Sequence, residues 1–174
     1  LAAPLHAAGY SLLLVDARCH GLSDGDSFAS LPRFAEDIEA ALCWLARQPE
    51  VDPLALGVIG HSVGAGAALL AATHYPSIRA VVSLAAFAHP AAMMRRWLAS
   101  KRIPFWPFGA YILAYVQWVI GHRFDAIAPC NTIAQLRCPV LIVHGLADDT
   151  VPVEEARQIF AARTNDAVEL LLVP

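Results

Sequence analysis

Five runs of strand length, "SLLLVD", "LALGVIG", "IRAVVSLAAF", "CPVLIVHG" and "AVELLLVP", are apolar at nearly every position rather than at every second one. A strand with one wet face alternates. A strand that is apolar on both sides needs cover on both, as in a parallel sheet flanked by helices. Segments of helical period lie between the runs. In "LPRFAEDIEAALCWLARQ", Phe34, Ile38, Ala41, Leu42 and Leu45 fall on one stripe, with Glu36, Asp37 and Glu39 off it. Pro32 suits a first helical turn and Pro49 a stop. Small residues dominate Val63 to His74, so that helix can lie close on a sheet, and Pro76 ends it. "VEEARQIFAAR" is a further helix. This order predicts an α/β fold: a mainly parallel sheet sandwiched by helices, with a first strand at Tyr10–Asp16 and a second at Leu54–Gly60.

Composition excludes several classes. Hydrophobic residues make up 57% of the 174 and charged residues 16%, against a usual ~25% charged. That balance fits either a membrane protein or a buried sheet. The longest charge-free apolar stretch, Ile103 to Ile120, is interrupted by Pro104, Pro107, Gly109 and Gln117. Only Phe108 to Ile120 can run as continuous helix, about 20 Å long, whereas a bilayer core needs about 30 Å. No spanning segment is expected. A net charge of −3 gives no support for a nucleic-acid partner. The short basic cluster Arg95, Arg96, Lys101 and Arg102 reads as the solvated face of a helix. Cys19, Cys43, Cys130 and Cys138 have no metal-ligand spacing and read as small buried hydrophobes in a reducing compartment. With no secretory signal in view, a cytoplasmic location is the expectation. The chain opens on Leu1, in what reads as mid-helix, so the N-terminus of the protein is expected to lie upstream.

The second strand runs into Gly60-His61-Ser62-Val63-Gly64 and then into a helix. A turn that sharp forces Ser62 into strained backbone angles and lifts its oxygen above the sheet edge. Glycine is expected two residues before and two after the serine, where a Cβ would meet neighbouring backbone. Ser62 then heads a helix, where free N–H groups and the dipole favour developing negative charge. The N–H of Val63 is a candidate oxyanion donor. The bland alternative is a Gly/Ala-rich helix start with Ser62 as its cap. Spacing rules out GxGxxG, and no lysine is present for a phosphate loop, so no cofactor is expected.

Together with two further motifs, this pattern resembles the α/β-hydrolase superfamily. Upstream, "DARCHGLSDG" is similar to the family's D-x-R-G-H-G-x-S loop, with Cys19 where glycine is usual. Downstream, "CPVLIVHGLADDTVP" is similar to its H-G-x-x-D-x-x-V-P acid loop. The resemblance implies a fold covering about strands four to eight and makes Asp148 the catalytic acid, in preference to Asp149. The acid's task is to orient a histidine and stabilise its imidazolium.

In this family the histidine follows the eighth strand, here "VELLLVP", and no histidine lies beyond His144. His61 is tied to the turn beside Ser62, His144 sits in a strand and His20 in the upstream loop. His6, His74, His89 and His122 read as packing or surface residues. The base and a second oxyanion donor are therefore expected outside this chain, which reads as clipped at both ends and inactive alone. The absent third strand should leave a gap between Tyr10–Asp16 and Leu54–Gly60 or let the two collapse together.

Residues 88–130 break the alternation and are rich in tryptophan, tyrosine, proline and arginine. They are expected to form a cap or lid on a core made of 1–87 and 131–174. Tyr111, Ile112, Tyr115, Trp118 and Val119 make a broad apolar face. That face either packs the insert onto the core or lines a pocket for a small apolar acyl substrate. The implied function is a serine hydrolase acting on carboxylic esters or related acyl bonds. Thioesterase, amidase, acyltransferase and haloperoxidase chemistry share these motifs. The rival from another class is a non-catalytic binding protein with the same fold.

Overall fold

A computed structural model of the protein describes residues 1–25 and 27–174. Four strands, β1 (Leu56–His61), β2 (Ile78–Leu84), β3 (Val140–Gly145) and β4 (Val168–Val173), pair in that order, all parallel. The helices are α1 (Ala2–Ala7), α2 (Leu31–Leu45), α3 (Val63–His74), α4 (Pro90–Ser100), α5 (Ala110–Ile120), the short α6 (Phe124–Ile127) and α7 (Pro129–Thr132), and α8 (Val153–Ala161). Helices flanking a parallel sheet are the α/β architecture read from the sequence.

α3 is the helix around which the core is built. Ala65, Ala67, Ala68, Leu69 and Ala71 are all fully buried, because it packs against β1 and β2 on one side and α2 on another. Gly66 allows that approach. A Cβ there would stand 2.8 Å from Leu31 Cδ1 and 3.2 Å from Pro129 Cγ. α8 covers β3 and β4 with Ala156 and Ile159, both buried. The side chain of Ser30 caps α2 by accepting from the Arg33 N–H at 3.4 Å.

Two expectations about the strands are corrected. Tyr10–Asp16 forms no strand, and most of it is exposed. It faces β1 across a cavity of about 690 Å³ lined by Leu13, Leu14 and Val15 on one side and Gly57, Val58 and Ile59 on the other. Among the described residues β1 pairs with β2 alone and no segment fills the slot, so the gap is what forms. An apolar run becomes a strand only when a ladder partner lies beside it. The same slot explains why Phe34, Ile38, Ala41 and Leu45 of α2 are only half-buried: they line it. Second, burial along β1 and β4 alternates rather than being continuous, with Ile59 and Leu171 exposed to solvent.

The stretch between β2 and β3 is helical, and it is anchored to the core. Leu98, Leu113, Phe124 and Ile127 join the buried cluster. Glu155 of α8 is buried, accepts the Ala88 N–H at 2.5 Å and pairs with Arg96 of α4. The anticipated solvated basic face is therefore only part of the picture: Arg96 is a tether and Arg95 lies over the Phe105 ring. None of the four cysteines forms a disulfide among the described residues. Cys19 and Cys43 are exposed, against the burial expected of them, whereas Cys130 and Cys138 are half-buried and burial raises both thiol pKa values.

Candidate active site

Ser62 sits at the C-terminal end of β1 and at the N-cap of α3, with φ 54° and ψ −118°. Positive φ is costly for a residue with a Cβ, of order 1–3 kcal/mol when the surroundings must hold it. Two constraints hold it there. The Ser62 N–H continues the ladder by donating to Leu84 O at 2.9 Å, and the Ser62 carbonyl accepts from Ala65 at 3.0 Å. Its side chain makes no capping hydrogen bond, so the hydroxyl is not the helix cap of the bland alternative. Val63 is the first residue of α3, where an N–H has no intrahelical acceptor.

The two flanking glycines differ. A Cβ on Gly60 would overlap the Gly64 carbonyl oxygen and stand 2.8 Å from Ala65 Cα, which accounts for glycine at that position. A Cβ on Gly64 would meet nothing within 4 Å, so the clash expected there does not exist. Gly64 contributes the backbone that Gly60 must avoid.

Asp148 follows β3, at the same C-terminal edge of the sheet as Ser62, with β2 between the two strands. Its Oδ1 accepts from the Thr150 N–H at 2.8 Å and the Val151 N–H at 2.9 Å. Those two bonds, Val151 first, hold the carboxyl below the usual carboxylate range, against a smaller opposing effect of burial. The charges of His144 and His61 also reach it in the same direction. Among the described residues Oδ2 accepts no backbone N–H, and it stands 3.8 Å from His144 Nε2. His144 is fully buried, and its Nε2–H donates to Val151 O at 2.7 Å, closing the loop that presents Asp148. One carboxylate oxygen fixes the loop, and the other takes no part in that pair of bonds.

No imidazole hydrogen-bonds Ser62 among the described residues. His20 leans its edge on Phe34 and lies 3.0 Å from Arg18 O. His74 meets Glu39 at 3.3 Å, and His89 caps α4 through the Ala91 N–H while meeting Asp125 at 3.0 Å. His61 is exposed and lines the cavity beside Ser62. No residue of 88–130 lines that cavity. Of the apolar face expected there, Ile112 packs on the core, whereas Tyr111, Tyr115 and Trp118 stand in solvent.

The upstream motif has a structural account. Asp16 accepts the Leu22 N–H at 3.0 Å, and Ser23 Oγ donates to Asp16 O at 2.6 Å. Arg18 pins the loop to α2 through Asp37 at 2.6 Å and Glu36 at 3.0 Å, and the hydrogen bond to Asp37 raises its pKa. Cys19 has φ 63°, a left-handed position that favours the glycine it replaces. Sequence reasoning missed Ala85, which ends β2 with φ 51° on the same edge as Ser62 and donates to Val143 O at 2.9 Å. An alanine carries no signal of that strain.

Residues 33–174 match the prolyl oligopeptidase family. A protein of Mycobacterium tuberculosis described as uncharacterized is 32% identical over 164 residues, covering 93% of this chain and 51% of that protein. The chain spans about half the length of the curated relatives it matches. Among solved structures, a Pyrococcus furiosus esterase superimposes with a TM-score of 0.66 at 22% identity, over 90% of this chain and 58% of its own. The esterase domain of a Rhodothermus marinus protein gives 0.56 at 25% identity, over 79% and 56%.

Proposed function

The chain belongs to the prolyl oligopeptidase family, a family of α/β-hydrolases, and from that premise we propose that it is the nucleophile-bearing part of a serine hydrolase acting on carboxylic esters or related acyl bonds. The observation that carries this reading is the uncapped, strained Ser62 at the mouth of a strand–helix turn. Ser62 Oγ attacks the acyl carbon, and the Val63 N–H stabilises the oxyanion that forms. Asp148 Oδ2 orients the histidine that takes the Ser62 proton and later returns it to the leaving group. That histidine and a second oxyanion donor come from residues other than the described ones, so residues 1–174 by themselves are inactive. The helices between β2 and β3 serve as a cap anchored to the core through Arg96 and Glu155, without lining the cavity at Ser62, and the substrate is a small apolar acyl compound.

The test is hydrolysis of nitrophenyl esters of increasing acyl length by the full-length protein and its Ser62→Ala variant. The substitution should remove activity on every ester that is cleaved, by roughly 10⁶-fold in kcat. Turnover that survives Ser62→Ala would exclude Ser62. Absence of turnover on esters, thioesters and amides alike would favour a non-catalytic binding protein of this fold.

A further inference from the structure

α5 carries no charged residue, and Gln117 is its one amide side chain. Leu113 is buried, and Ile112, Val116 and Ile120 pack against the core. The opposite stripe, Tyr111, Tyr115 and Trp118, stands in solvent at 70%, 51% and 77% exposure. The turn leading into the helix adds Trp106 and Phe108, 78% and 62% exposed. The rings form a ladder. Tyr111 stacks on Tyr115 with centroids 6.3 Å apart, and Tyr115 leans on Trp118 at 5.9 Å. A surface helix normally turns charged or polar residues outward, and a contiguous exposed apolar face marks an interaction site.

Charge indicates what covers this face. Residues 88–130 carry five Lys or Arg and a single Asp, while the rest of the chain carries seven Lys or Arg and fourteen Asp or Glu. The aromatic stretch is bracketed by exposed cations, Lys101 and Arg102 before it and Arg123 after it, with no carboxylate between. None of the three has a carboxylate partner among the described residues. Rings with an apolar body and a polar tip, flanked by Lys and Arg, are the composition that settles at a bilayer–water interface. α5 has 11 residues, and no helix among the described residues is long and apolar enough to cross a membrane, so this helix would lie in the interface plane.

We propose that the face running from Lys101 to Arg123 docks on an anionic lipid surface, with Trp106, Tyr111, Tyr115 and Trp118 among the headgroups. Lys101, Arg102 and Arg123 meet the lipid charges. The inference does not depend on Ser62 being reactive.

Flotation of the full-length protein with phosphatidylcholine vesicles, with and without phosphatidylserine, tests it, and the Ser62→Ala form should behave identically. Wild type should float with the anionic vesicles, with a blue shift in tryptophan emission, and bind the neutral ones weakly. Lys101→Glu with Arg102→Glu should lower partitioning about thirty-fold or more. Trp106→Ser with Trp118→Ser should abolish it. If the tryptophan pair fails to fold, the charge pair, on exposed side chains, still decides. Failure of wild type to float with either vesicle would overturn the proposal, as would partitioning unchanged in both paired variants. A dimer dissolved by Trp106→Ser with Trp118→Ser, without vesicle binding, would assign the face to a second copy of the chain.

Discussion

Gly60 and Gly64 have the same neighbour, Ser62, and opposite tolerances. Gly60→Ala drives a methyl into the Gly64 carbonyl and should cost more than about 3 kcal/mol, because neither strand nor helix backbone can move freely. Gly64→Ala meets open space within α3 and should gain up to about 1 kcal/mol of helix propensity. Chemical denaturation of the two variants checks the pair. Asp148 offers a test in pH. Its carboxyl is held below the usual range, so the stability it contributes is fully present above the unfolded value of about 3.9 and is lost as pH falls through the lower folded value. Wild type should be more stable than Asp148→Asn at neutral pH, and their thermal midpoints should begin to converge only below about pH 3.9 and meet once pH has fallen through the lower folded value. A gap that persists at low pH would mean that the carboxylate charge is not what holds the loop. Ser62 was legible as a candidate because a tight turn demands glycine beside it. Asp148 was a candidate only through the resemblance of its loop to the α/β-hydrolase pattern. The Thr150 and Val151 N–H groups that hold its Oδ1 have no sequence signal. Ala85 was not legible, since its strain comes from β2 and β3 rather than from its own chemistry.

Elements follow the same division between local and distant causes. α3 and the four paired strands are readable because apolar runs and small residues describe the surface each presents. Tyr10–Asp16 reads like the others and fails to pair, since a run's composition says nothing about whether a partner stands beside it. Arg96 looked like one member of a basic cluster, and its tether to Glu155, 59 residues away, has no sequence signal. Glu155→Ala would leave the Ala88 N–H buried without an acceptor, costing about 1–3 kcal/mol, and free α4 from α8. A thermal midpoint lower by roughly 2–10 °C is expected. Arg157→Ala, which breaks the exposed pair with Glu154, should change it by about 1 °C or less. Equal effects from the two substitutions would mean that the Glu155 tether contributes no more than a surface pair.

Over the whole molecule, three loops from distant parts of the chain meet one edge of a parallel sheet. The parallel order brings them together: Ser62 after β1, Ala85 after β2 and Asp148 after β3 all leave the sheet in the same direction. Sites gather at such edges in open α/β sheets. The outer side of β1 faces an open slot, and its backbone groups have no ladder partner there among the described residues. Covalent labelling tests the proposed activation of Ser62 with the fewest assumptions about substrate. The full-length protein treated with a fluorophosphonate, which reacts with activated serines, should gain one adduct that peptide mass mapping places on Ser62, and Ser62→Ala should gain none. An adduct on another residue, or equal labelling of the Ser62→Ala variant, would contradict the account.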